Sequence, residues 1–159
     1  RDNLSPAVSL PPDDIARNHG DECMFATLFF GVLDPESGEL AYINAGHEPL
    51  YVISPTGIRK ALKPTGPAVG LTPEAQFQIE QIQLDQGDLL LGYTDGVTEA
   101  RSAEDKLFTR ERLQALAGKP DQTAADLLET IKQELFAFID REPRYDDVTM
   151  LAVQRVAAV

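Results

Sequence analysis

Leu84-Asp85-Gln86-Gly87-Asp88-Leu89-Leu90-Leu91-Gly92-Tyr93-Thr94-Asp95-Gly96-Val97-Thr98-Glu99-Ala100 is the stretch on which the reading of this chain turns. Turn residues from Asp85 to Asp88 feed a run, Leu89 to Tyr93, that is too apolar to be half-exposed, which predicts a strand buried on both faces. The strand ends in Thr94-Asp95-Gly96. A carboxylate fixed at the end of a buried strand is a candidate ligand for a hard cation, and the glycine after it lets a ligand or another backbone come close. The same Asp-Gly also serves as a plain turn capping a short helix over Val97 to Ala100. Spacing leaves both readings open.

Working upstream, Met24 to Leu33 is aromatic and branched enough for a core strand, and Asp34-Pro35-Glu36-Ser37-Gly38 supplies a turn into a second arm, Leu40 to Ile43. Asn44-Ala45-Gly46-His47-Glu48-Pro49 then reads as a loop. In it Gly46 permits a positive φ, Asn44 can bond neighbouring backbone, and His47 is presented at the end of the sheet. His47 is either a proton carrier or phosphate contact, or a turn residue whose ring packs on the hairpin. Leu50 to Ile53 and Ile58 to Leu62 form a further hairpin around Ser54-Pro55-Thr56-Gly57. Lys63 to Pro73 carries three prolines and two glycines and predicts a long ordered loop. The alternation of Phe77 to Ile79 has the opposite parity to that of Ile82 to Leu84, which predicts a bulge near Glu80-Gln81.

Downstream, Thr109 is placed to N-cap a short helix with Leu113 and Leu116 inward, stopped by Gly118-Lys119-Pro120. From Thr123 to Arg141, Leu127, Leu128, Ile131, Leu135 and Phe138 recur at helical spacing, which predicts an amphipathic helix lying on the sheet. Asp146-Asp147 precedes a closing strand, Val148 to Val153. Antiparallel neighbours put the end of one strand beside the start of the other, so Asp95 and Asp146 can converge at one rim. Oxygen-only ligands there, with no Cys or His set at zinc spacing, favour Mg²⁺ or Mn²⁺. The alternative is a pair of solvated turn acids.

With 159 residues, 43% hydrophobic and 25% charged, the chain is one ordinary globular domain's worth. Its net charge of −12 argues against nucleic acid as a partner, because phosphate-backbone binding depends on Lys and Arg. No apolar run approaches the roughly 20 residues that span a bilayer, and the N-terminus has no basic-then-apolar signal pattern, so a membrane is not expected and a cytoplasmic location is. The single Cys23, beside Met24 and Phe25, reads as a buried structural thiol. Residues 1–22, rich in polar residues and with Pro11-Pro12, hold at most a short helix over Asp13 to Asn18.

Met24 to Asp34, Tyr42 to Pro49, Gly87 to Ala100 and Asp146-Asp147-Val148-Thr149, in this order, resemble the protein phosphatase 2C superfamily of metal-dependent serine/threonine phosphatases, in the bacterial sporulation stage II E and sigma-factor-regulator branch. The resemblance covers residue 23 to the C-terminus and implies a phosphatase-like domain over 23–159. It implies an α+β fold in which antiparallel strands form a two-sheet β-sandwich with helices on the outer faces. It further implies a hydrolase acting on phosphoserine or phosphothreonine of a small signalling protein such as an anti-sigma-factor antagonist. The attack is by a water activated between two Mn²⁺ or Mg²⁺ ions rather than by a catalytic side chain. By analogy Asp95 and Asp146 are metal ligands, Gly96 keeps their approach open, Asp147 plays a supporting role, and His47 sits where related enzymes carry an acidic residue.

The family's first motif, a Gly-Asp-Val-Ser-Gly-like segment whose Asp bridges both metals, has no match in residues 1–22. This leaves the C-terminal two-thirds of the family's domain, as a truncation or as a divergent member. The expectations are therefore a half-built site with metal affinity of about millimolar class, apolar surface left for self-association into a homo-oligomer, and, as an alternative to catalysis, a non-catalytic interaction module in bacterial signalling.

Overall fold

The structure is a computed structural model in which residues 25–72, 75–140 and 146–156 are described. The helix expected over Asp13 to Asn18, the Cys23 thiol, Met24, Pro73 and Arg141 lie outside them. In order come β1 (Leu28–Leu33), β2 (Glu39–Ala45), β3 (Leu50–Ser54), β4 (Gly57–Leu62), β5 (Glu80–Gln83), β6 (Leu89–Tyr93), α1 (Asp95–Thr98), α2 (Arg110–Ala117), α3 (Ala124–Ile139) and β7 (Met150–Gln154). All ladders are antiparallel, in two sheets ordered β1-β2-β5 and β4-β3-β6-β7. This is the α+β class that the resemblance implies. The chain divides into two compact units, one made of residues up to His47 with Lys63–Gln83, the other of Glu48–Leu62 with the chain from Leu84 on.

In the first unit the β1–β2 turn forms as its residues dictate. Asp34 Oδ1 accepts from the Glu36 amide at 2.9 Å, and Gly38 takes φ 80°. Tyr42 is buried on β2, stacked on Phe29 with ring centroids 5.4 Å apart. β1 departs from the core strand expected there: Leu28, Phe30 and Val32, which share one face, are exposed. Among the described residues β1 stands at the edge of its sheet, laddered to β2 alone. The bulge expected near Glu80-Gln81 is absent as well. β5 begins at Glu80 and runs in unbroken register with β2, from Tyr42↔Glu80 to Glu39↔Gln83. Residues 75–79 form no strand because they answer to the 63–72 loop instead, with the Gln78 amide donating to the Thr65 carbonyl at 3.2 Å.

In the second unit β6 is central and wholly buried, between β3 and β7. Leu89, Leu91 and Tyr93 join Tyr51 and Ile53 of β3 on the face that packs against Leu113 and Ala117 of α2 and Leu127, Ile131, Leu135 and Ile139 of α3. Burial of each of these large side chains is worth roughly 1.5–3 kcal/mol. The helix α3 starts where Thr123 allows. Its Oγ1 accepts from the Asp126 amide at 3.1 Å while the Asp126 carboxylate reaches back to the Thr123 amide, a complete capping box. Within α2 Leu113 and Ala117 are buried and Leu116 is half-buried, packed against the same core. Phe138 is likewise half-buried, held edge-on against Phe108 with Arg112 over its ring at 4.6 Å. At the entry to β6 the buried carboxylate of Asp88 accepts from Arg59 and from the Asp85 amide, which fixes the turn before the strand.

Candidate functional site

β6 delivers the chain to a rim of its sheet, and β7 leaves from the same rim. Their register runs from Leu89↔Gln154 to Tyr93↔Met150, and the Thr94 amide extends it by donating to the Thr149 carbonyl at 3.0 Å. The backbones carrying Asp95 and Asp146 therefore stand on adjacent segments, as the antiparallel argument requires. The contact is close. A Cβ on Gly96 would collide with the Asp147 carbonyl oxygen and lie 3.0 Å from its carbon. Of the two uses foreseen for that glycine, a close approach of backbone is the one seen.

Asp95 opens the four-residue α1, two residues earlier than the helix expected from Val97. Its Oδ1 accepts from the Gly96 amide at 2.9 Å, and Asp146 mirrors it, Oδ1 accepting from the Asp147 amide at 2.7 Å. Asp95, Asp146 and Asp147 are all exposed. The Thr94 hydroxyl spans the two segments, donating to the Asp147 carbonyl at 2.8 Å and accepting from the Thr149 amide at 3.0 Å.

The donor set on this rim is oxygen only, which suits a hard cation that keeps several of its waters. Among the described residues no group of three or more His, Cys, Asp or Glu is gathered closely enough to hold a metal by itself. By donor chemistry the aspartate pair suits a hard cation such as Mn²⁺ or Mg²⁺ rather than zinc.

Asn44, Gly46 and His47 fall in the other unit. Asn44 and Ala45 belong to β2 rather than to a loop, and the turn begins at Gly46, whose φ is 70°. Asn44 is fully buried and does what its side chain offers there: Oδ1 accepts from the His47 amide at 2.8 Å. Its main chain is tied to the 63–72 loop through Thr65, whose Oγ1 accepts from the Asn44 amide at 3.1 Å. A Cβ on Gly46 would meet the Ala68 amide nitrogen at 2.8 Å, so the loop can lie against this turn only because the residue is glycine. His47 itself is half-buried.

Two features escape a reading of the sequence. One is the Thr94 hydroxyl. The other is a polar network in the second unit, where Glu48 Oε2 accepts from Tyr93 Oη at 3.1 Å and from Arg110 Nη2 at 2.8 Å, and Gln114 Nε2 donates to Tyr51 Oη at 3.0 Å. Burial first, and then the bond to Tyr51 and the charge of Glu48, push the Tyr93 phenol well above its ordinary pKa. Burial is the largest influence on Arg110 and works against its charge, yet the bond to Glu48, the charge of that carboxylate and the two tyrosines together outweigh it, and the guanidinium is held more firmly protonated. The only sequence signal is a Glu and an Arg 62 residues apart in polar contexts, which says nothing until the fold joins them.

The family described as Stage II sporulation protein E (SpoIIE) matches residues 11–156. Protein IcfG of Synechocystis sp. is 50% identical over 149 residues, 94% of this chain and 24% of that protein. Phosphoserine phosphatase RsbU of Bacillus subtilis is 25% identical over 159 residues, 94% of this chain and 47% of RsbU. The chain thus spans less than half the length of either relative. Among solved structures, the SiaA-PP2C domain of Pseudomonas aeruginosa superposes with a TM-score of 0.76 at 19% identity, over 89% of this chain and 57% of that one. A likeness at that identity establishes the fold: it is that of a protein phosphatase 2C domain. No helix among the described residues is long and apolar enough to cross a membrane.

Proposed function

The chain belongs to the stage II sporulation protein E family, and from that premise we propose that it takes part in metal-dependent hydrolysis of phosphoserine or phosphothreonine on a small signalling protein of the anti-sigma-factor-antagonist kind. The supporting observation is the β6–β7 rim, where Asp95 and Asp146 stand on adjacent segments and Gly96 admits the Asp147 backbone. RsbU, similar over nearly the whole chain, is a phosphoserine phosphatase by name, and that is the reason for choosing a phosphoprotein substrate.

In this reading Asp95 and Asp146 hold the cation through exposed carboxylates. When bound, Mn²⁺ or Mg²⁺ lowers the pKa of a coordinated water and neutralises charge on the transferring phosphoryl group. The protein's share is to keep the two carboxylates at a set separation: a buried strand fixes one, and the bond network around Thr94 and Thr149 fixes the other. Asp147 supports through its backbone carbonyl, while in the other unit Asn44 and Gly46 shape the turn that carries His47.

Calorimetric titration with Mn²⁺ of the chain, of Asp95→Asn and of Asp146→Asn tests the site, beside turnover of a phosphoserine protein by a chain extended upstream. Binding of about millimolar class, weakened in each variant, is expected. Unchanged binding in both variants removes these aspartates from the site, and metal binding without turnover by the extended chain leaves the non-catalytic interaction module as the better reading. Self-association is part of the same proposal, motivated by Leu28, Phe30 and Val32 exposed along β1. A monomer that stays monomeric with rising concentration in sedimentation velocity discards it.

A further inference from the structure

In an antiparallel ladder, residues that face each other as a hydrogen-bonded pair exchange two bonds, each amide donating to the other's carbonyl. Thr94 and Thr149 continue the β6–β7 register as such a pair, yet only half of the exchange is made between backbones. The Thr94 amide donates to the Thr149 carbonyl at 3.0 Å, whereas the Thr149 amide donates to the Thr94 hydroxyl, also at 3.0 Å. The Thr94 carbonyl is engaged elsewhere: it accepts from the Val97 amide at 3.0 Å and so opens α1. A carbonyl that starts a helix has turned away from its sheet.

We infer that the Thr94 hydroxyl stands in for its own carbonyl in the ladder, so that the chain can pass from strand to helix at Asp95 while the Asp146–Thr149 segment stays docked, which makes Thr94 a positioning residue for the Asp95–Asp146 pair. The same oxygen's proton goes to the Asp147 carbonyl at 2.8 Å, two residues upstream of the amide it accepts from. Thr94 therefore grips the second segment at two points and sets that carbonyl against Gly96. Only a hydroxyl on Cβ can accept and donate at once at this reach. Serine meets the requirement. Valine has threonine's shape and meets neither half of it.

The ladder role stands on hydrogen bonds alone; the positioning role rests on the phosphatase reading of the two aspartates. Thr149 and Asp147 are exposed, so in Thr94→Val water takes over their bonds, and the change falls on geometry more than on global stability. Amide hydrogen exchange and Mn²⁺ calorimetry on the chain, Thr94→Ser and Thr94→Val test it. Expected in Thr94→Val is Thr149 amide exchange faster by about tenfold and Mn²⁺ affinity weaker by about tenfold, the effect usual for a group that orients a ligand. Thr94→Ser is expected to match the parent in both. Parent-like Thr149 exchange in Thr94→Val overturns the ladder role, as does loss of protection in Thr94→Ser, an arm that holds even if the valine variant does not fold. Faster exchange with parent-like Mn²⁺ affinity overturns the positioning role. Should Asp95→Asn also leave Mn²⁺ binding unchanged, the site reading has failed instead, and the exchange data still decide what Thr94 does.

Discussion

Gly96 is glycine because of a neighbour and not because of its own backbone. It sits inside α1 and is absent from the residues with positive φ, so alanine would suit its conformation. The obstacle is the Asp147 carbonyl, which is main chain and cannot swing aside as a flexible side chain would. Gly96→Ala should therefore push the Asp146-Asp147 segment off the rim, at a cost of about 1–3 kcal/mol in line with other overpacked sites. Urea denaturation reads the cost and Mn²⁺ calorimetry reads the displacement; a variant unchanged in both shows that the segment yields freely. Much of this rim is legible in the sequence. An Asp-Gly one residue after an apolar run, and an Asp-Asp directly before another, can be joined by the antiparallel rule alone. Thr94 is not legible, because a hydroxyl replacing a carbonyl in a ladder shows only when register and helix start are both known. Glu48 is hidden for the same reason, its two partners coming from β6 and the first turn of α2.

Among the elements, those specified locally are the ones the sequence foretells. α3 carries its start signal and its apolar stripe within its own residues, and both appear, with the stripe rotated slightly so that Ile139 is buried and Leu128 and Phe138 are half-buried. Thr123→Ala removes the hydroxyl that accepts from the Asp126 amide and should cost about 1 kcal/mol, seen as a lower thermal midpoint. Thr123→Ser should keep the midpoint, and a drop as large as alanine's would move the cause from the cap to the methyl group. β1 and β5 are the opposite case. Whether Leu28, Phe30 and Val32 face a core depends on what lies over the sheet, and no periodicity within β1 encodes that. The Phe77–Ile79 alternation has strand parity yet spends its bonds on the 63–72 loop, a competition settled by a partner distant in sequence.

At the scale of the molecule, each compact unit buries a tyrosine whose hydroxyl meets a glutamate. In the first, Tyr42 Oη donates to Glu80 Oε2 at 2.6 Å; in the second, Tyr93 donates to Glu48. Burial is the larger cause in both, and the adjoining carboxylate adds to it in keeping the phenol protonated well above its ordinary value. Unfolded, both ionise near pH 10. Folded, they hold their protons more tightly, so the native state binds more protons than the unfolded one in alkaline solution, and stability falls as pH rises. Their contribution is whole below about pH 10 and drains away above it. The net charge of −12 adds a general self-repulsion to this picture. The alkaline limb therefore belongs in part to these two phenols. Denaturation midpoints taken from about pH 8 upward should hold and then decline past about pH 10, with the decline shallower in Tyr42→Phe and Tyr93→Phe, whose rings have no proton to lose. An alkaline limb as steep in both variants as in the parent would assign it to other titrating groups instead.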